Sequence, residues 1–565
     1  MKQSVSRYES VAARFAVVLL LAFFCAFSPL QATPSGKSKS EYQEIAKGIE
    51  LFGDIYRELS ANYVEPLDVS ALMYAAIDGM VASLDPYTVF LDERQSEQLE
   101  EITSGRYTGI GISMARFSGT LYVTSVLEGY PAWKAGLRIG DRIERIDDVP
   151  LQGKSLDEIK EIIKGNPGTT LSMKIGREGS LGLGTVRLSR EAIRVSTVSY
   201  SGIVGNTGYV ELDSFSGHSG EDVRQALEKL FRQASEERRS LDGLVLDLRG
   251  NPGGVLGPAV EIASLFVDKG STVVTIRGRT SESEKVYKTE RPPLVAELPL
   301  VVLIDHESAS ASEIVAGALQ DLDRGVVLGQ RSYGKGLVQS VFQLPYDTTL
   351  KLTTARYYTP SGRLIQKQHA RDGSLARRVL KEKKERKLAP VPVYYTVGKR
   401  KVYGGGGIVP DITVKEEQLS DYQQLLFRQG MVFRFAIRYR ATHPVMPGPA
   451  LNGKALMRDF EKFLREQKFA YTSPSERQFA ALLKSTGMES GKAGGTDLLK
   501  QEIERQKAAE IEKESQRTAR LLEREIVRHY NESLSRQAEL GDDPVVRRAL
   551  ALLSDPKAYS RLFRP

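Results

Sequence analysis

Val301 to Asp321 reads VVLIDHESASASEIVAGALQD, an apolar β-branched run, a corner of alternating Ser and Ala, and the start of a helix. Val301 to Asp305 has the pattern of a buried strand, and Ser312 to Leu322 that of a helix packed along one face. A serine at a helix start ordinarily caps it, its oxygen accepting an orphan N–H. Here there are three, Ser308, Ser310 and Ser312. Ser312 with Glu313 suffices for the cap, which leaves Ser310 facing outward beside N–H groups able to hold an oxyanion. His306, on the same corner, reads as structural, because a serine's base normally comes from another segment.

The same strand-then-helix unit recurs on both sides. Thr207 to Leu212, a helix near Gly220 to Phe231, Leu244 to Leu248, a helix near Pro258 to Phe266 and the strand Val326 to Leu328 alternate through residues 195–415. Such alternation predicts an α/β layer with a largely parallel sheet. Directly after Leu244 to Leu248 comes Arg249-Gly250-Asn251-Pro252-Gly253-Gly254. Its glycines let N–H groups converge at the carboxyl end of a strand, where open α/β sheets bind ligands. Gly329 to Gly336 resembles a phosphate-binding loop and fails it twice. Gly336 stands where a Ser or Thr must hold Mg²⁺, and Leu337 to Leu344 is extended instead of helical. Lys335 is then free for another role: burial lowers a lysine pKa, and a neutral amine serves as a serine's general base. Histidine is scarce, with five in the chain, and no HExxH or two-metal ligand set is present.

Between about Gly105 and Arg190 the pattern shifts to short strands, Leu121 to Val126, Arg142 to Ile146, Thr170 to Ile175 and Thr185 to Leu188, around one helix, Ser155 to Lys164, with Ser155 and Glu158 as a capping box. Upstream, Ile45, Ile49, Phe52, Ile55 and Tyr56 recur at helical spacing, and Ser83 to Asp92 makes a turn. After about 415 the chain is helical and polar, with Leu499, Ile503, Leu522, Ile526, Tyr530 and Leu534 marking one stripe on a long helix. Residues 371–389, with eight basic and three acidic side chains, read as a solvated excursion.

At the N-terminus Lys2, Arg7 and Arg14 precede an apolar run from Phe15 to Phe27, shorter than the ~20 residues of a membrane span. This is the pattern of a signal peptide cut after Ala32, with an uncleaved anchor as the alternative. The one cysteine, Cys25, lies in that run, so a mature chain without it has no disulfide, thiolate site or cysteine nucleophile. The 565 residues carry 79 basic and 71 acidic side chains, net +8, interleaved throughout, which does not point to nucleic acid.

Taken together, the Ser-Ala-Ser-Ala-Ser-Glu-Ile run at 308–314, Gly334-Lys335-Gly336 with Gln339, Arg249 to Gly254, Leu84 to Thr88 and the YGGGGIVPD of Tyr403 to Asp411 resemble the carboxyl-terminal processing peptidases, or tail-specific proteases, over about residues 41–415. The resemblance implies an α/β crotonase/ClpP-like protease core with an inserted PDZ domain, an N-terminal helical region and a C-terminal helical extension. The expected divisions are 1–32 signal peptide, 33–104 helical region, 105–190 PDZ domain, 191–415 peptidase core and 416–565 extension. It also implies Ser310 as nucleophile, Lys335 as general base and Gln339 as the lysine's partner. Oxyanion donors are the N–H of Ala311 and of one of Gly253 and Gly254, and no cofactor or metal is required. Tyr107 to Ile112 (YTGIGI), that is Tyr107, Gly109, Ile110, Gly111 and Ile112, is the expected carboxylate-binding loop for a substrate's C-terminal tail. Trp133, a departure from the PDZ pattern, is expected to fill core space.

The expected activity is that of an exported endopeptidase in a bacterial periplasm or cell envelope, acting on proteins with exposed C-terminal tails. The rivals are a non-catalytic PDZ scaffold and crotonase-like acyl-CoA chemistry. Three roles are open to the C-terminal helices: packing on the core, self-association to a homo-oligomer, or holding an adaptor.

Overall fold

The computed structural model describes residues 39–180, 182–367, 391–415, 418–446, 451, 453–486 and 494–564. The apolar run with Cys25, the cleavage point after Ala32 and the charged stretch at 371–389 lie outside the described residues. The chain divides into two units, Met1–Leu84 and Asp85–Pro565.

In the first unit α1 (Lys39–Asn62) and α2 (Val69–Ala82) follow each other. Asp68 caps α2 by accepting from the amides of Ser70 and Ala71, and Tyr56 of α1 donates to the Val69 carbonyl at 2.7 Å.

The second unit opens with β1 (Val89–Leu91) and α3 (Glu93–Ser104). There follow β2 (Arg106–Gly109), β3 (Ile112–Phe117), β4 (Thr120–Val126), a short α4 (Pro131–Lys134), β5 (Arg142–Ile146), β6 (Val149–Pro150), α5 (Leu156–Ile163), β7 (Thr170–Gly176), β8 (Leu183–Ser189) and β9 (Glu191–Arg194). One sheet runs β3-β4-β5-β7-β8, with β3 at its edge, and β2 pairs with β9. The Ser155 and Glu158 capping box starts α5, whose Ile159 and Ile163 are buried against Ile110, Val123, Ile146 and Met173. Trp133 does not fill this core: it is 44% exposed, and the smaller Ala132 beside it takes the buried position.

The α/β layer contains β10 (Val198–Val204), β11 (Thr207–Leu212), α6 (Ser219–Glu236), β12 (Gly243–Asp247), α7 (Leu256–Ser264), β13 (Thr272–Gly278), β14 (Lys285–Lys288), β15 (Leu300–Ile304), α8 (Ala311–Asp321), β16 (Val326–Gly329), β17 (Leu337–Gln343), β18 (Thr349–Tyr358), β19 (Val393–Tyr395), β20 (Lys401–Tyr403) and β21 (Ile412–Thr413). Its main sheet has the order β10-β11-β12-β15-β16-β21, parallel throughout except for the β10–β11 pair. Period-2 alternation sends Leu244, Leu246, Val302 and Ile304 to one face, under α6, α7 and α8, and Val245, Val301 and Leu303 to the other. Burial on both faces is why these strands read as unbroken apolar runs. A second sheet joins β1, β18, β13 and β14, with β17 on β18.

The remaining helices are α9 (Asp421–Arg428), α10 (Met431–Thr442), α11 (Gly453–Glu466), α12 (Pro474–Thr486), α13 (Gly494–Lys513), α14 (Ser515–Arg528), α15 (Glu532–Asp542), α16 (Pro544–Leu553) and α17 (Pro556–Arg561). The stripe from Leu499 to Leu534 is thus not one long helix. It breaks at Glu514 and again at Asn531, whose side chain caps α15, and Leu534 is exposed while Leu522 and Ile526 are buried. Tyr422, Leu426, Phe435, Phe460, Leu522 and Ile526 form a core of their own. Phe433 of α10 touches the PDZ-type sheet at Phe117 and Tyr122, with ring centroids 5.5 and 5.9 Å away.

The last two helices do something else. Val545, Val546, Ala549, Leu552 and Leu553 cover the second face of the main sheet, packed with Val245, Val301, Leu303, Val326 and Leu328. At about 1.5–3 kcal/mol per fully buried Val or Leu, this contact rivals the ~5–15 kcal/mol net stability of a whole domain. A chain ending at residue 543 is therefore expected to lose its cooperative thermal transition; a melt within a few degrees of the full chain would contradict that packing.

Candidate active site

The β15-to-α8 corner is built on a backbone outlier. Ser310 has φ 54° and ψ −112°, a region that costs a non-glycine residue about 1–3 kcal/mol and survives only where its surroundings impose it. Ser308 and Ser312 are fully buried and committed: their Oγ atoms donate to the carbonyls of Leu248 (2.8 Å) and Asn251 (3.0 Å). Ser312 is thus a tie to the neighbouring loop, not the cap. Ser310, at the N-cap position and only partly buried, is the serine left to face outward.

The glycine loop at 249–254 lies against this corner. The Ala309 amide donates to the Asn251 carbonyl at 3.0 Å, and Asn251 Nδ2 donates to the Leu212 carbonyl at 2.7 Å. A side chain at Gly253 would meet Ala309 O at 2.6 Å and both Ala311 N and Ser310 Cβ at 2.8 Å, so only glycine permits this approach. Of the two glycines expected to serve the oxyanion, Gly253 is corrected out, because its N–H already donates to Asn251 Oδ1 at 2.8 Å. The amides of Gly254 and Ala311 have no hydrogen-bond partner among the described residues. Arg249, which opens the loop, pairs with Asp247 and with Asp543 at 2.7 Å each, so the N-cap of α16 touches the root of the loop.

Lys335 reaches the corner from the loop between β16 and β17. As expected, Leu337–Gln343 is a strand, which leaves the phosphate-loop pattern without its helix. Two buried bridges tie Lys335 to Ser310. Glu313, fully buried, accepts from the Ser310 amide (2.8 Å) and the Lys335 amide (2.9 Å) on one oxygen, and from the Gly334 amide (2.8 Å) and Ser332 Oγ (2.5 Å) on the other. The Tyr357 hydroxyl donates to the Ser310 carbonyl at 3.1 Å and contacts that of Lys335. Burial pushes the Glu313 carboxyl above its ordinary range, and its hydrogen bonds pull it back only in part.

The Lys335 amine donates to Gln339 Oε1 at 3.2 Å and sits over the Tyr87 ring, 4.8 Å from its centroid. It is not hydrogen-bonded to Ser310 Oγ. Burial holds its pKa below the usual lysine range, with the nearby charge of Lys351 acting in the same direction. Serine, lysine and glutamine thus share one site. Among the described residues no histidine bonds to Ser310, and His306 is exposed. Glu313, Tyr357 and Tyr87 were given no role in this site from sequence. Glu313 carried a signal there in its place three residues after Ser310, and Tyr87 in its place within the Leu84 to Thr88 motif.

In the PDZ-type unit, Tyr107 pairs with Ile193 in the β2–β9 ladder, and Gly109, Ile110 and Gly111 form the buried link from β2 to β3. The carbonyls of Ile110 and Gly111 accept from Ala132 (3.0 Å) and Leu127 (2.9 Å). The amides of those same two residues have no partner among the described residues, and Gly111 takes φ +80°. Ile112 begins the edge strand β3, whose Ile112 and Met114 pack partly buried against the cluster that holds Ile159 and Ile163 of α5.

Four family models match. They are peptidase family S41 over 206–373, a PDZ domain over 122–177, the C-terminal helical domain of a probable PDZ-protease over 422–553, and the N-terminal domain of the activating protease CtpB over 25–95. Fold and matches together define a serine peptidase carrying a PDZ domain. Among similar proteins, a carboxy-terminal-processing protease of Bartonella bacilliformis is 36% identical over 336 residues, 60% of this chain and 76% of that protein. Carboxy-terminal processing protease CtpA of Bacillus subtilis is 32% identical over 316 residues, 55% of this chain and 66% of that protein. A solved photosystem II D1 C-terminal processing protease is 32% identical, with 55% of this chain and 83% of that one covered and a TM-score of 0.33. The chain belongs to the carboxy-terminal-processing proteases of peptidase family S41.

Proposed function

We propose that this serine peptidase works through Ser310 and Lys335 and takes its substrates by their C-terminal tails. The observation that carries the reading is the shared Glu313 oxygen, which draws the backbones of the two residues together while Gln339 engages the amine. Lysine's long stem lets the amine swing from Gln339 toward Ser310 Oγ when substrate arrives, since catalytic hydrogen bonds often tighten only in the complex.

In that complex neutral Lys335 takes the Ser310 hydroxyl proton as Oγ bonds to the scissile carbonyl carbon, and the carbonyl electron pair moves onto oxygen. The N–H groups of Ala311 and Gly254 hold that charge, each donor contributing about 3 kcal/mol. Collapse breaks the C–N bond, and the Lys335 ammonium gives its proton to the departing amine. Water then gives a proton to Lys335 as its oxygen bonds to the acyl carbon; collapse breaks the ester bond to Oγ, and the Lys335 ammonium returns that proton to Ser310 Oγ, which frees the serine with its hydroxyl and the lysine neutral.

The tail lies along the open edge of β3, with its carboxylate on the amides of Ile110 and Gly111. The apolar run and its basic flank support export, to a bacterial periplasm or cell envelope. The rival reading as a non-catalytic scaffold leaves the lowered lysine pKa beside Gln339 without a use. A peptide ending in apolar residues is expected to bind at least ~10-fold more tightly with a free carboxylate than with an amide. Isothermal titration against the Ser310→Ala chain checks this, and equal affinities would remove the PDZ part of the reading.

A further inference from the structure

The turn Asp85-Pro86-Tyr87-Thr88 lies outside the residues matched to the S41 model, yet it forms a wall of the site. Asp85 accepts from the Tyr87 amide (2.8 Å), the Thr88 amide (2.9 Å) and Thr88 Oγ1 (2.9 Å). Thr353 of β18 clamps the turn, its Oγ1 donating to Asp85 and its amide to Thr88 Oγ1, both at 3.2 Å. With β1 paired to β18 directly after it, the Tyr87 backbone is held in place.

What that backbone presents is a carbonyl aimed at Gln339. Gln339 Nε2 donates to the Tyr87 oxygen, and because a carbonyl can only accept, the amide must turn its own oxygen the other way, to the Lys335 amine at 3.2 Å. A glutamine free to flip would present its NH₂ to the Lys335 amine, where it would compete for the lone pair that must take the Ser310 proton. The Tyr87 ring adds a second restraint: its face lies under the same amine, 4.8 Å away, which both attracts a cation and keeps water off it. The Tyr87 hydroxyl takes no part in either contact; it lies close to Tyr333.

We propose that Tyr87 is a positioning residue of the peptidase site: its carbonyl sets the Gln339 amide and its ring fixes where the Lys335 amine rests. The inference depends on the Ser310 and Lys335 reading and acts only through Lys335 and Gln339, so it affects turnover without touching tail binding.

The test is steady-state kinetics of the full chain on an unfolded protein with an apolar tail, for wild type, Tyr87→Phe, Tyr87→Leu, Thr353→Val and Ser310→Ala. Tyr87→Leu is expected to lower kcat by ~10–100-fold with KM within twofold, and Tyr87→Phe, which keeps the ring and the carbonyl, to stay within about threefold of wild type. Thr353→Val, which loosens the clamp, is expected to lower kcat about fivefold and is read alone if the Leu variant does not fold. Wild-type kcat in Tyr87→Leu (or in Thr353→Val where that is read alone), a loss confined to KM, or equal losses in the Phe and Leu variants would overturn the inference. Full activity of Ser310→Ala would instead overturn the reading beneath it.

Discussion

Ser310→Ala is expected to lower kcat by on the order of 10⁴–10⁶-fold, and Lys335→Ala by a comparable factor, because a nucleophile and its base act as a unit and losing either forfeits the covalent route. Both variants are expected to keep the fold. Ser310 Oγ takes part in no tie to the neighbouring loop, unlike Ser308 and Ser312, and the Lys335 contacts that hold the corner are made by its backbone. The wild-type pH profile carries the same logic. The base must be neutral, so kcat/KM rises with pH through the Lys335 pKa, which burial and the charge of Lys351 hold down. The rising limb therefore lies below the ~10.4 of a free lysine. Stopped-time cleavage assays across pH check all three statements, and retention of turnover by either variant would defeat the assignment.

Glu313→Gln is expected to damage both activity and stability, by a different route. The carboxylate has two accepting oxygens, each taking two donors from Ser310, Lys335, Gly334 and Ser332. An amide has one accepting oxygen, so whichever way it turns, its NH₂ faces two of those donors. Each buried donor left unpaired costs about 1–3 kcal/mol. The loss of stability is thus expected at about 2–6 kcal/mol, and kcat is expected to fall by at least ~100-fold as the corner holding Ser310 parts from the loop holding Lys335. Glu313→Asp keeps the charge but is one methylene short and is expected to fall between the two. Urea denaturation beside the activity assay reads both effects; a Gln variant within ~1 kcal/mol of wild type and fully active would show that the bridge does not hold the site together.

These two predictions also mark what sequence carries and what it does not. The parallel strands, the capping box of α5 and the outward place of Ser310 between two committed serines were legible because each depends on local pattern: alternation, a three-residue spacing, a run too rich in serine to be only a cap. The role of Glu313 was half legible. Its spacing from Ser310 is that of a capping residue, but the bonds to Ser332, Gly334 and Lys335 are made to a segment about twenty residues on, and nothing local announces them. Tyr357 and Tyr87 join the site through strand pairing, the first from β18 and the second from the turn that leads into β1. The position of Tyr357 in the chain carries no such information, and that of Tyr87 carried only its membership of the Leu84 to Thr88 motif, with no pointer to Gln339.

The C-terminal helices show the same limit on a larger scale. An amphipathic helix advertises an apolar stripe and not the surface that receives it. That α16 closes the back of the main sheet, with Asp543 reaching Arg249 beside the glycine loop, follows only from the fold. The breaks at Glu514 and Asn531 were hidden because the apolar spacing runs through them. Trp133 was misjudged because a large aromatic in a domain of this size ordinarily goes inside.

The most direct measurement is mass spectrometry of the enzyme quenched during turnover of a tail-bearing peptide. An acyl adduct is expected on Ser310, absent from Ser310→Ala and slow to appear in Lys335→Ala. An adduct on another residue, or peptide cleavage by the Ser310→Ala chain, would contradict the account.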